Sequence, residues 1–325
     1  MEHESHIPAC PAVLLLGFNR PDLVKRTMAS IAAAAPMRFY VACDGARSER
    51  PNEASKVAAV HEQMRSPSWS CTINSRFLDR NYGCRVAVSG AIDWFFQHES
   101  AGIILEDDCV AEPSFFRFAG ELLQRYETDE RVGSINGSAF APRHLYSKDS
   151  YCFGRHPNPW GWATWRRAWA RYDRDPADWR QSVDSPDFMG NWCNRRAGRK
   201  WRRRVKSAFS GAISTWDYQW HYAMWRHQML TINPACNLIT NIGNTEEGTH
   251  TTGSSPWANL PLRAMEFPLQ HPTSMAADDH IDRFLERYKY KSGPTLTRHW
   301  NRLRWKLGLI GLAEARGERE KRPQQ

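Results

Sequence analysis

No apolar run in this 325-residue chain approaches the length of a bilayer span, so an apolar transmembrane helix is not among its elements. Met1-Glu2-His3-Glu4-Ser5-His6 lacks a basic leader, and Val13-Leu14-Leu15-Leu16 is too short for a signal-peptide core. The eight cysteines are scattered and form no close pair of metal-ligand spacing. They read as buried thiols of a cytosolic chain. No glycine-rich phosphate loop follows the first apolar run, which speaks against a nucleotidyltransferase or sugar-nucleotide hydrolase built on such a loop. There is no internal repeat. The expectation is a cytoplasmic protein whose basic surfaces fit peripheral contact with the inner face of a membrane.

What is present begins with charge. The formal net charge is +9, so anionic partners are favoured: nucleotide, phosphate, membrane surface and nucleic acid all fit. The first half alternates strand and helix patterns. Strands are predicted over Ala12–Gly17, Arg38–Cys43, Ser70–Phe77, Ile103–Leu105 and Val132–Asn136. Helices are predicted over Pro21–Ala35, Asn52–Met64, Gly83–Gln97 and Pro113–Tyr126. Repeated strand–helix units imply a mainly parallel sheet with helices on both faces.

The second half differs: 13 of the 15 tryptophans lie at or after Trp160, marking a region of distinct composition. Helices are expected near Thr164–Tyr172, Lys200–Phe209 and Trp216–Gln228. Short strands are expected over Met229–Asn233 and Asn237–Asn241. The expected organisation is an α/β half over residues 8–140, a Trp-rich half of the same domain over 141–295, and a basic extension over 296–325.

The first strands end in polar residues. In open α/β sheets, ligands sit outside the carboxyl ends of the strands. Asn19-Arg20 follows the first strand, Asp44 the second, and Glu106-Asp107-Asp108 the fourth. Three adjacent carboxylates leaving a core are costly unless a cation or many donors meet them. Arg20 at a helix start suits a phosphate. Asp44 suits a base or ribose, and one acid of the triplet suits a divalent metal bridging phosphate oxygens. Each has a plainer alternative: a helix cap at Arg20, a turn residue at Asp44, an N-cap within the triplet.

Downstream, Arg155–Trp165 carries two prolines and reads as a loop entering a helix near Thr164. Its rings suit stacking on sugars or bases, or packing of a core. His156 reads as a hydrogen-bonded loop residue. Asp217, after Trp216, is either an N-cap or a carboxylate able to deprotonate an acceptor hydroxyl. His250 lies in a polar loop and reads as a surface histidine or as a ligand of a closing loop. The run Arg195–Arg204, with Trp201 embedded, suits nucleic acid, anionic lipid, an acidic substrate or a solvated helix face.

The ordered series Asn19-Arg20-Pro21, Ala42-Cys43-Asp44-Gly45, Ile104-Leu105-Glu106-Asp107-Asp108, Pro113-Ser114-Phe115-Phe116, Gly161-Trp162, Trp216-Asp217 and Gly248-Thr249-His250 resembles the GT-A class of nucleotide-sugar glycosyltransferases. More narrowly, it is similar to N-acetylglucosaminyltransferase I and its bacterial family 2-like relatives. The resemblance implies a GT-A-like fold and a hexosyl- or N-acetylhexosaminyl-transferase that uses Mn²⁺ or Mg²⁺. It implies Asp217 as catalytic base, Asp108 as metal ligand, and Arg20, Asp44, Glu106, Asp107, Trp162 and His250 around the donor. The implied partners are a nucleotide-sugar, with a UDP-sugar favoured, and a glycan, lipid-linked or protein acceptor, with nucleic acid disfavoured. The rival expectation is a non-enzymatic, basic, Trp-rich module that binds RNA or anionic glycan.

Overall fold

A computed structural model of the chain describes residues 10–243 and 256–290. Strands β1 (Val13–Gly17), β2 (Arg38–Cys43), β3 (Thr72–Phe77) and β4 (Ala101–Glu106) alternate with helices α1 (Pro21–Ala32), α2 (Glu53–Arg65) and α3 (Cys84–His98). The chain continues through β5 (Cys109–Ala111), α4 (Ser114–Arg125), β6 (Val132–Asn136), β7 (Tyr151–Gly154) and β8 (Trp162–Trp165). Short helices α5 (Arg166–Trp169), α6 (Trp179–Asp184) and α7 (Pro186–Gly190) precede α8 (Arg195–Phe209) and α9 (Asp217–Arg226). Strands β9 (Leu230–Pro234) and β10 (Ile239–Asn241) and helix α10 (Asp279–Phe284) follow, and α10 runs directly into a π-helical turn, Leu285–Lys289.

Eight strands make one sheet in the order β3-β2-β1-β4-β8-β6-β9-β7. Only β8 and β7 run against the others, so the sheet is mixed but mostly parallel. Strands from both halves of the sequence share it. Between β1 and β4 the order reverses, because β2 and β3 extend to one side and β4 to the other. Such switch points open a crevice at the strand ends.

The apolar runs of β1 and β4 are continuous because both faces are covered. Side chains alternate along a strand. Val13 and Leu15 face α1, α2 and α4, where Val24, Met28, Val60 and Phe115 are buried. Leu14 and Leu16 face α3 and α9, meeting Ile92, Phe95, Trp220 and Met224. A third cluster packs α6, α7 and α8 around Trp179, Trp192 and Trp201.

The Arg155–Trp165 segment departs from expectation. The prolines do keep residues 155–161 irregular. Trp162–Trp165, however, is the antiparallel strand between β4 and β6, and helix is confined to the single turn Arg166–Trp169. Alternation again explains it: Trp162 joins the α3/α9 layer, while Ala163 and Trp165 join the opposite one. Two open strand edges outweigh a weak helical pattern. The cysteines also differ from expectation: all eight are free, but only Cys43 and Cys109 are fully buried. Among the described residues no helix is long and apolar enough to cross a membrane.

Candidate active site

The crevice at the β1/β4 switch point collects the polar strand ends. After β1, Phe18-Asn19-Arg20 leads into Pro21 at the first position of α1, where its missing N–H costs nothing. The Arg20 carbonyl accepts from the N–H groups of Leu23 and Val24 at 3.1 Å, so the arginine is fixed at the helix start. Its guanidinium reaches across to the acids beyond β4. Arg20 Nε donates to Asp107 Oδ2 at 3.2 Å, and Nη2 pairs with Asp107 Oδ1 and, at 3.0 Å, with Asp108 Oδ2. Burial works against the Arg20 charge, but Asp107, Asp108 and Glu106 more than offset it and raise its pKa.

The acidic turn is held from several sides. Thr27 Oγ1 of α1 donates to the Asp107 carbonyl at 2.8 Å. Asp108 meets the second, two-stranded sheet, in which β10 pairs antiparallel with β5. Asn241 Nδ2 donates to Asp108 Oδ1 at 2.8 Å, and the Ile242 N–H donates to the Asp108 carbonyl at 2.8 Å. A Cβ on Gly243 would lie 2.0 Å from Asp108 Oδ2, so glycine is the residue that allows this approach. Burial, followed by the charges of Asp108 and Asp107, pushes the Glu106 carboxyl upward. Burial also pushes Asp107 upward, against the pull of Arg20. Three carboxylates thus face one guanidinium.

Asp44 follows β2. Its Oδ1 accepts from the N–H groups of Gly45 (3.0 Å) and Tyr82 (2.9 Å), and its Oδ2 from Gly83 (2.9 Å). It therefore clamps the loop that leads from β3 into α3, a structural task that sequence reading did not assign to it. Asn19 is similarly tied to α2, donating to Glu53 Oε1 at 2.8 Å, while Glu53 also holds Arg47.

Asp217 stands at the first position of α9, with Trp216 at the cap, so the capping reading of Asp217 does not describe it. Thr215 Oγ1 donates to its carboxylate, which stays partly exposed. Its charge is among those that raise the Glu106 carboxyl, so the two groups lie within electrostatic reach of each other. The structure thus brings Arg20, Glu106, Asp107, Asp108 and Asp217 together, with Asp44 at one flank.

Trp162 is placed elsewhere. It is only 1% exposed, with its ring 5.8 Å from Trp216 and 5.4 Å from Trp220. Its contacts are those of core packing. His156 is the buried loop residue expected, 3.0 Å from Glu286 Oε1 through Nε2. Arg195–Arg204 forms most of α8, with Trp201 turned into the protein and Arg195, Arg196, Arg199 and Arg203 on its open face. The expectation for His250 lies outside the described residues.

Asn241 and Gly243 carried no motif. The short strand over Asn237–Asn241 is expected, but no strand is predicted over its partner β5, which lies directly behind the acids. That pairing is what brings residues 239–243 to Asp108.

Among the described residues no group of three His, Cys, Asp or Glu side chains could by itself hold a metal ion. The donor set is nonetheless all oxygen, the chemistry of Mg²⁺ and Mn²⁺ sites. Such ions are commonly held by one or two carboxylates, with diphosphate oxygens and water completing the shell. Asp108 beside an excess of carboxylate charge fits that mode.

No protein-family model matches the chain, and no curated protein matches it. Among solved structures it is similar to a UDP-glucose pyrophosphorylase complexed with UDP-glucose, at TM-score 0.27 and 9% identity. The aligned part covers 46% of this chain and 63% of that one, less than two thirds of its length. A likeness of that degree carries no weight for activity.

Proposed function

We propose that the chain is a metal-dependent glycosyltransferase that moves a sugar from a nucleoside-diphosphate donor to an acceptor hydroxyl with inversion. The observation that supports it is the convergence of Arg20 and the acidic triplet at one switch point, with the partly exposed Asp217 within electrostatic reach of Glu106. A basic binding module has no need of three carboxylates at that place.

Asp108 would hold the divalent cation, Mn²⁺ or Mg²⁺, which neutralises charge on the departing diphosphate when bound. The Arg20 guanidinium adds a fixed positive charge beside the same oxygens. Glu106 and Asp107 line the donor's sugar and ribose. Asp217 accepts the proton of the acceptor hydroxyl as its oxygen attacks the anomeric carbon. The bond from that carbon to the diphosphate breaks, and its electron pair leaves with the nucleotide. A single displacement of this kind inverts the anomeric centre. On the family resemblance a UDP-sugar is the favoured donor, and the Trp-rich half would receive the acceptor.

The test is turnover. Purified protein is incubated with UDP-, GDP- and TDP-sugars and Mn²⁺, and release of nucleoside diphosphate is measured with mixed glycan acceptors. Release from one donor class, lost in Asp217→Asn, is expected. Equal release by wild type and Asp217→Asn would contradict the assigned base.

A further inference from the structure

Helix α8 carries no acid and is built with two faces. At about 100° per residue, Ala197, Trp201, Val205 and Ala208 share one side, and all four are buried. Arg195, Arg196, Arg199 and Arg203 fall within about 100° of arc on the opposite side, and all four are exposed. The other cations of α8 are engaged. Lys200 Nζ donates to the Tyr290 carbonyl at 2.8 Å, and the Arg204 guanidinium lies 5.1 Å from the centroid of the Trp201 ring. Arg202 and Lys206 pair with Asp184 at 3.7 and 2.7 Å. Among the described residues, the guanidinium groups of Arg195, Arg196, Arg199 and Arg203 have no ion pair and no hydrogen bond.

This placement works against the helix itself. Arg195 and Arg196 put positive charge at the helix N-terminus, the end that favours anions. Arg195 and Arg199, and again Arg199 and Arg203, stand four residues apart, where like charges repel. A face kept only for solubility mixes both signs. Four unopposed arginines fit a surface of phosphates, which guanidinium groups bind through paired donors.

An apolar residue ends the same face. Ile213 is 36% exposed, and its N–H donates to the Ser207 carbonyl at 3.2 Å. Ser207 lies one turn on from Arg203, so Ile213 sits at the C-terminal end of the arginine face. An apolar side chain beside basic ones suits the boundary between headgroups and acyl chains. It offers nothing to a phosphodiester backbone. Trp201, the ring of α8 that could stack on a base, is only 2% exposed and turned into the protein. Lipid is therefore favoured over nucleic acid.

We propose that the Arg195–Arg203 face of α8, with Ile213 at its end, docks the protein on a membrane of anionic phospholipid. None of these residues is placed in the crevice, so the inference does not rest on the transferase reading above.

Vesicle co-sedimentation of the full chain tests it. Vesicles of phosphatidylcholine alone are compared with vesicles of equal parts phosphatidylcholine and phosphatidylglycerol. Partition onto the anionic vesicles should be stronger by about tenfold or more and should weaken as salt is raised. Each arginine at such a surface contributes about fivefold, so Arg199→Gln combined with Arg203→Gln should weaken partition about 25-fold. Lys25→Gln combined with Arg26→Gln, exposed on α1, removes the same charge elsewhere and should change it by under about threefold. Neither pair should lower the melting temperature, because all four side chains are exposed. Ile213→Ser should cost a few-fold that raised salt does not remove. Equal partition onto the two kinds of vesicle, or equal losses from the α8 and α1 pairs, would overturn the docking face. Release from anionic vesicles by an RNA oligonucleotide at equal phosphate concentration would also overturn it and assign the face to nucleic acid.

Discussion

The two ends of the sheet are built on different principles. On the β3-β2-β1-β4 side, parallel strands joined by helices carry continuous apolar runs, and Arg20, Asp44 and the acidic triplet sit at strand ends. On the β8-β6-β9-β7 side, parallel and antiparallel pairs are mixed, and large aromatic rings fill the layers. The first side fixes its polar groups through backbone geometry. The second fixes them through packing, because Trp162 packs against Trp216 and Trp220 where Asp217 heads α9. The difference teaches where each side is fragile: the β3-β2-β1-β4 side to charge, the β8-β6-β9-β7 side to volume.

The largest expected effect is at Asp217. Asp217→Asn keeps the volume and removes the base, so transfer should fall by roughly 10²–10⁴-fold with nucleotide binding retained. Steady-state kinetics with calorimetry on the same protein checks this. A comparable fall in nucleotide affinity would instead place Asp217 in the donor site.

Next is the aromatic layer. Trp162 is enclosed on β8 between β4 and β6, so Trp162→Ala should cost about 3–5 kcal/mol of stability. Chemical denaturation measures it, and a loss under ~1 kcal/mol would argue against its role as packing. Gly243→Ala sharpens the other side. The added Cβ meets the Asp108 carboxylate, and metal-dependent nucleotide affinity should fall about tenfold, roughly 1.4 kcal/mol, with little change in melting temperature.

The smallest effect is a pH dependence on the β3-β2-β1-β4 side. The hydrogen bond from Arg47 holds the Glu53 carboxyl down, to about 2 from an ordinary 4.5. A depressed folded pKa contributes stability that is present above the unfolded value and is lost as pH falls through the folded one. The loss should therefore run from about pH 4.5 down to about 2. Glu53→Gln should flatten that arm of the melting curve, and an unchanged arm would show that the Asn19–Glu53–Arg47 network is not coupled to folding.

The contrast between the sides also governs what could be read from the sequence. Arg38–Cys43 and Val132–Asn136 match their predicted strands residue for residue, since short apolar runs bounded by turn residues report the buried parallel strand directly. Arg20 and the triplet were legible for the same reason. The place of Trp162 was not, because a strand of four residues is made by the edges of β4 and β6 rather than by its own pattern. Asp44 was found as a residue, but its three backbone partners near Gly83 depend on how two loops meet.

The central claim is that the acidic turn after β4 holds a nucleoside diphosphate through a shared cation. The most direct measurement is calorimetry of UDP, GDP, CDP and TDP against the purified protein, with and without Mn²⁺, in wild type and Asp108→Ala. The account predicts that one nucleotide binds, that it needs the metal, and that Asp108→Ala abolishes the metal-dependent part. No nucleotide binding under any condition, or binding that Asp108→Ala leaves intact, would contradict it and make Glu106-Asp107-Asp108 a structural turn.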